Sequence, residues 1–398
     1  MGISGAFLEM IERPMLATVN GYAYMRASYN LRWSHVPGLL RYTASAIAMV
    51  FGSAIPLWRD QALPAYLATI ARWRNIDLAT ATDQELLAGV RALAWADAAY
   101  WWSTALVVGA AKISDAVLDR VLALALPGRG LSSAMFLRGF PSTLRDAETA
   151  LETIAAQIRA DEAAQTLVAA TPAQDLLAAL ADAPAGQAPL RALRDYLARY
   201  GHQIYTLDFA EPTLGEETLP IALSLKALVE HPGRTALERQ VALAEERDQL
   251  TAETERSLDP LRRFLFRRVV RWAQRFAPYR EEALFYVGAA WPTLRRLALE
   301  LGRRLAEAGS LATADDIFFL RTAEIEAAIT ARADGAGRRD LARLAQERRA
   351  LREARQRLHP PAAVPPDYRY TFGPFDISGF ETQRRNAPEG ATLRGFAV

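Results

Sequence analysis

Two short alternating stretches, Met15-Leu-Ala-Thr-Val19 and Tyr22-Ala-Tyr-Met-Arg26, flank the pair Asn20-Gly21. A type I′ turn needs positive φ at both central residues, and Asn-Gly supplies them at least cost, so this stretch predicts a β-hairpin. Beyond it the period changes from two to between three and four. The segments 38–56, 59–75, 83–112, 114–126, 142–170, 188–200, 216–230, 234–273, 279–308 and 336–357 carry apolar residues at helical spacing among Ala, Leu, Arg and Glu. The pattern predicts a mainly α fold: one large multi-helix domain of long antiparallel helices after a short N-terminal hairpin.

Helix ends are legible as well. Gly201 follows Tyr200 and Gly309 follows Ala308, both at C′ positions. Thr313 before Ala314-Asp-Asp316 reads as the cap of a short turn. The stretches 183–188 and 335–337 read as loops, and Pro360-Pro-Ala-Ala-Val-Pro-Pro366 as an extended connector. The organisation expected is a hairpin segment over 1–30, a helical body over 31–358, and a proline-rich linker with the start of a further domain over 359–398.

Composition narrows the classes. Of 398 residues, 51% are hydrophobic and 23% charged, an ordinary globular balance. A net charge of +2 is too small for whole-chain nucleic-acid binding. With no cysteine, disulfides and thiolate metal sites are excluded. No targeting peptide opens the chain, and a cytoplasmic setting is expected. The uncharged run Tyr42 to Trp58 is short for a membrane span and contains Gly52 and Pro56, so a buried helix is the expectation.

No phosphate loop, nucleophile elbow or H-E-x-x-H pair occurs. The histidines His35, His202, His231 and His359 lie far apart, and no metal site is expected from them. The arginine-rich region from Leu261 to Arg304 reads mostly as solvated basic faces of amphipathic helices. Arg280 is singled out within it because it follows Pro278, which reads as a helix start, where backbone N–H groups and a guanidinium together suit a phosphoryl group.

Three runs carry a family resemblance: Tyr279-Arg-Glu-Glu-Ala-Leu-Phe-Tyr-Val-Gly288, Leu301-Gly-Arg-Arg-Leu-Ala-Glu-Ala-Gly309 and Asp315-Asp-Ile-Phe-Phe-Leu320. Weaker support comes from Phe136-Leu-Arg-Gly-Phe-Pro141 and from Tyr200-Gly-His-Gln203 with Asp208 and Glu216-Glu217. In order and spacing these resemble the central region of the phosphoenolpyruvate-synthase-like enzymes, most closely the rifampicin phosphotransferase type. The resemblance implies an acceptor-binding domain of an ATP-dependent phosphotransferase. In that family an ATP-grasp domain comes first and a swivelling phosphohistidine domain comes last. The last residues, Ala391-Thr-Leu-Arg-Gly-Phe-Ala-Val398, resemble the entry to that final domain.

On this resemblance Arg280 meets the phosphoryl group in flight, while Leu284 stands where the rifampicin enzymes carry a lysine. The acceptor is a hydroxyl compound or an enol. Its pocket is expected to gather Tyr22, Tyr24, Trp33, Met135, Phe136, Arg138 and His202, although Met135 and Phe136 read equally as core and His202 reads simply as the residue that fixes the turn after Gly201. ATP and Mg are expected in the ATP-grasp domain and none in this chain, which alone should be inactive. The partners implied are a small-molecule acceptor and the ATP-grasp and phosphohistidine domains, in cis or as separate subunits. No nucleic acid and no membrane are expected. Two other classes stay open: a helical interaction scaffold without ligand, and a peripheral membrane protein using residues 42–58.

Overall fold

The computed structural model describes residues 16–25, 52–204, 206–338, 340–361, 364, 371–372 and 375–376. Trp33, the apolar 38–51 stretch and the final Leu393-Arg-Gly395 therefore lie outside the described residues. The chain divides into two compact units, Met1–Ala48 with Glu347–Val398, and Met49–Gln346.

In the smaller unit, β1 (Leu16–Val19) pairs antiparallel with β2 (Tyr22–Met25), with Val19 opposite Tyr22. Asn20 and Gly21 have φ of 50° and 85°, the positive pair that the turn demands. The Tyr22 hydroxyl lies 2.8 Å from the Arg355 carbonyl and 3.0 Å from that of Leu358, and Tyr24 donates to the Pro361 carbonyl at 3.1 Å. A second antiparallel pair of two-residue strands, β3 (Thr371–Phe372) and β4 (Phe375–Asp376), belongs to the same unit.

The larger unit is helical throughout its described residues. It opens with α1 (Ala54–Leu57), a π-helical turn at Trp58–Ala62, and α2 (Leu63–Arg74). Then comes α3 (Asp83–Ala125), one uninterrupted helix of 43 residues, about 65 Å at 1.5 Å per residue. The sequence pattern alone divides it at Ile113. A continuous capped helix forms instead, started by a reciprocal capping box between Thr82 and Glu85.

Four elements follow: α4 (Ser133–Phe136), α5 (Thr143–Arg159), α6 (Glu162–Ala170) and α7 (Leu176–Asp182). After them come α8 (Gln187–Tyr200), α9 (Leu219–Glu230) and α10 (Ala236–Ser257). The remaining helices are α11 (Pro260–Phe285), α12 (Trp291–Glu307), α13 (Thr322–Ala333) and α14 (Asp340–Gln356).

Both α11 and α12 run antiparallel to α3 and share its length. Tyr100 donates to the Ala283 carbonyl, while Leu118 and Leu122 pack with Phe266 and Val270 further along α11. Arg304 pairs with Asp83, and Trp291 donates to Asp97. Where α12 crosses, Gly89 admits Leu297 and Trp73 so closely that a Cβ would sit 2.6 Å from each.

The described apolar residues form three cores. The largest gathers α1–α3 with α12 and its neighbours, including Trp58, Tyr66, Tyr100, Leu294 and Leu301. The second is built by α5–α9 around Leu151, Ile158, Leu193 and Leu225. The third joins the end of α3 to α11 around Phe136 and Phe266. Gly309 adopts φ of +73° and ends α12 as expected. Gly201 behaves differently: its φ is −70°, so no left-handed cap forms there. What the position needs is space, since a Cβ would lie 2.4 Å from the Leu197 carbonyl and 3.0 Å from the Gly215 Cα.

Candidate functional site

A cleft of about 770 Å³ opens where α8 and α11 both end. Its walls come from α2 (Leu67, Ile70, Arg74), the first turn of α5, the stretch Leu197–His202, the loop at Thr213–Glu216, and the chain from Glu282 into the start of α12. Phe285 packs on the second core and Tyr286 on the first, so the cleft lies at the seam of two cores. Seams between packed bodies are favoured places for ligands because apolar walls and a few backbone ends meet there.

Local chemistry builds each wall. The loop after α8 closes on itself, with Gly215 N donating to the Gly201 carbonyl at 2.7 Å and Leu214 N to Gln203 at 3.0 Å. Glu216 caps it, accepting from the Thr213 N and Oγ1, both at 2.8 Å. Arg295, only 4% exposed, holds the same carboxylate at 2.9 Å, donates to the Phe209 carbonyl, and lies over the Phe318 ring. Glu216 is thus fully committed to the loop.

His202 anchors the loop across the seam. Its Nε2 is 2.9 Å from the Phe285 carbonyl, and its ring meets Phe285 edge-on with centroids 4.7 Å apart. The ring is also parallel to that of Tyr286. Burial lowers its pKa, opposed by the Phe285 and Arg199 carbonyls, which favour a protonated ring.

Glu282 and Tyr286, one turn apart, face the same cleft. Burial raises the Glu282 pKa. Burial also raises that of Tyr286, helped by the nearby Glu282 charge and opposed by Arg199.

The sequence-predicted residues are dispersed. Among them His202 lines this cleft. Phe136 is fully buried against Phe266, at an edge-on centroid distance of 5.5 Å, and presents no surface to a ligand. Met135 packs beside it, and Arg138 pairs with Glu246 at 3.0 Å. The Phe136 carbonyl accepts from Gln274 and the Phe285 carbonyl faces His202. Eleven residues of α11 separate those two points, about 16 Å along the axis. The structure therefore does not bring Phe136 and His202 together. Tyr22 and Tyr24 belong to the smaller unit, with hydroxyls turned to its own backbone.

Arg280 sits deep inside α11 rather than at a helix start, because the helix runs through Pro278 without breaking. Helix N-terminal N–H groups are therefore not available beside it. Its guanidinium meets Asp115 at 3.3 Å and Glu281 at 3.0 Å. Burial raises the Asp115 pKa, and Arg280 works against that rise. Leu284, one turn on, is exposed.

Sequence reasoning passes over Glu282 and Tyr286, although both stand in the run from Tyr279. The signal available is an acid sharing the i, i+3, i+4 row with Phe285 and Tyr286. Among the described residues no group of acidic, histidine or cysteine side chains could hold a metal ion. Nor is any described helix long and apolar enough to cross a membrane.

Residues 104–281 match the family model described as the rifampicin phosphotransferase fourth domain. A rifampicin phosphotransferase from a Streptomyces species is 30% identical over 225 residues, which cover 54% of this chain and 24% of that protein. The match spans about a quarter of the relative's length. Both findings bear out the resemblance to rifampicin phosphotransferases read from the sequence.

Proposed function

We propose that this chain holds the phosphoryl acceptor for a phosphotransferase of the rifampicin phosphotransferase kind. The observation that carries the reading is the cleft at the seam of the two larger cores. Its wall over Leu197–Glu216 falls wholly inside the family-matched stretch, and its wall on Glu282 begins one residue beyond it.

The walls suit an organic hydroxyl or enol compound. Leu67, Ile70, Leu197 and Phe285 offer apolar surface for its body. Thr143, Arg74 and Arg199 offer donors at the edge. Burying the body while leaving the hydroxyl at the wet mouth keeps the desolvation cost low. The phosphoryl group arrives on a phosphohistidine of another domain, which ATP and Mg charge in an ATP-grasp domain. Arg280, an ion-paired cation on α11, joins that transfer by exchanging a carboxylate partner for the phosphoryl oxygens. Leu284 in place of a second cation favours an acceptor other than rifampicin itself.

Calorimetric titration of the full chain, without nucleotide, tests the reading. Rifampicin, 1-naphthol and pyruvate serve as three acceptor probes of different size. Saturable binding of at least one, with a negative heat-capacity change, is expected. Ala198 is exposed on the cleft wall, and Ala198→Trp should weaken that binding tenfold or more while the chain stays folded. Binding unaffected by this filling residue, or none with any probe, would overturn the assignment of the cleft.

A further inference from the structure

The acids of the cleft differ in what they are free to do. Glu216 is held by Arg295 and by Thr213. Asp146 is exposed in the first turn of α5, at the outer end of the cleft wall rather than half-buried within it. Glu282 is half-buried, lines the cleft, and has no hydrogen bond or ion pair among the described residues. The nearest cation on its own helix, Arg280, is already neutralised by Asp115 and Glu281.

Resting on the acceptor reading above, we propose that Glu282 is the general base that takes the proton from the acceptor's hydroxyl group. The geometry is suitable. Glu282 stands one turn before Phe285 and Tyr286, and all three line the cleft, so a hydroxyl laid against those rings falls within reach of the carboxylate.

The step balances. The hydroxyl proton moves to a Glu282 oxygen while the acceptor oxygen forms the new O–P bond. The P–N bond of the phosphohistidine breaks and its electron pair stays on the imidazole nitrogen. The proton then passes from Glu282 through solvent to that nitrogen, leaving a phosphate monoester and a neutral histidine. A loose phosphoryl-transfer transition state needs the base mainly late, when the acceptor oxygen has become acidic.

The charged and titratable groups facing Glu282 come from every wall. They are Tyr286 just past the end of α11, Arg199 on α8, His202 and Glu216 on the loop, Arg74 on α2, Asp146 on α5, and Tyr100 on α3, while Arg280 and Glu281, its neighbours on α11, pair with each other and with Asp115. None of these cations pairs with the Glu282 carboxylate, and burial leaves it a better proton acceptor than an exposed glutamate.

The test uses the full chain, 1-naphthol as acceptor, and phosphoimidazole as a donor with the same P–N bond as phosphohistidine. Formation of 1-naphthyl phosphate is followed across pH 4 to 8. The wild-type chain should accelerate transfer, with a rate that rises through a carboxyl titration above the ordinary glutamate range. Glu282→Gln should lower kcat about 10²-fold, flatten that limb, and leave the calorimetric Kd for 1-naphthol unchanged. Glu282→Asp should recover part of the rate. Failure of the wild-type chain to bind any of the three probes would overturn the acceptor reading and this inference together. Binding with no acceleration, or Glu282→Gln as fast as wild type with the same pH profile, would overturn the inference alone.

Discussion

Asp97 shows how single residues set the frame around the cleft. Its carboxylate, 5% exposed, accepts from the Tyr66 hydroxyl at 2.6 Å and from the Trp291 indole at 3.2 Å. The same hydroxyl accepts from the Ala290 N–H at 2.9 Å, and the Tyr66 ring stacks on Tyr100 at 4.5 Å. One phenol oxygen therefore ties α2, α3 and the turn into α12. Burial pushes the Tyr66 pKa far up, and the neighbouring Asp97 charge pushes it the same way, so the phenol stays neutral and keeps donating. Tyr66→Phe preserves the stack but strands a buried carboxylate lone pair and a buried N–H. It should cost about 1–3 kcal/mol in denaturant-derived stability, read as a lower midpoint with an unchanged m-value. A variant as stable as wild type would show that water replaces the hydroxyl.

Two prolines separate what a helix signal says from what the helix does. At Asp259-Pro260 the chain breaks: Leu258 is extended, and Asp259 caps α11 by accepting from the Leu261 and Arg262 N–H groups. The residue before proline avoids helical backbone, so this boundary follows from local sterics. At Pro278 no break occurs, although the local chemistry is the same kind. The stretch on both sides packs along α3, through Phe276 on one side and Ala283 on the other, and this burial outweighs one lost hydrogen bond. Caps work the other way and can be read directly. Thr235 and Glu238 form a reciprocal box that starts α10, with Glu238 N donating to Thr235 Oγ1 at 3.2 Å and Thr235 N to Glu238 at 2.8 Å. Thr235→Ala should destabilise by about 1 kcal/mol, seen as faster amide exchange in the first turn of α10. Exchange at the wild-type rate would show that Glu152, which holds the Ala236 N–H, suffices to start the helix.

At the scale of the whole molecule, the cleft couples stability to pH. Burial lowers the His202 pKa, so the unfolded chain takes up the proton first as pH falls. Stability from this residue is complete above about 6.5, the unfolded value, and is lost below it toward the depressed folded value. Glu300 adds a second, more acidic window. Arg303 first, then Arg304, hold its pKa down to about 2, so its contribution is lost between about 4.5 and 2. The Tm of the full chain should fall between pH 7 and pH 5.5, and His202→Gln should reduce that fall while leaving the loss below pH 4. Equal slopes for the two proteins above pH 5 would mean that His202 is solvated in the folded state.

Much of the architecture was present in local pattern. The Asn20-Gly21 hairpin, the α-rich body, the end of α12 at Gly309 and the Thr313 cap, where Thr313 N donates to Asp316 at 3.0 Å, all rest on interactions within a few residues. Steric preference and hydrogen bonding at that range are properties of the sequence itself, and the resemblance to rifampicin phosphotransferases is likewise carried by short runs such as Tyr279 to Gly288. The cleft is of another kind. His202 and Phe285 are 83 positions apart and meet only because α8 and α11 end at one seam. Phe136, which has the composition of a ligand-facing residue, is sealed by Phe266 from 130 positions away in the chain. Arg280 loses its helix terminus to the packing of α11 on α3, and Glu282 stands unpaired among the described residues because its neighbours' charges are spent elsewhere. Burial and charge pairing depend on what arrives from distant chain, so only the tertiary structure decides which of many arginines and glutamates is free to act.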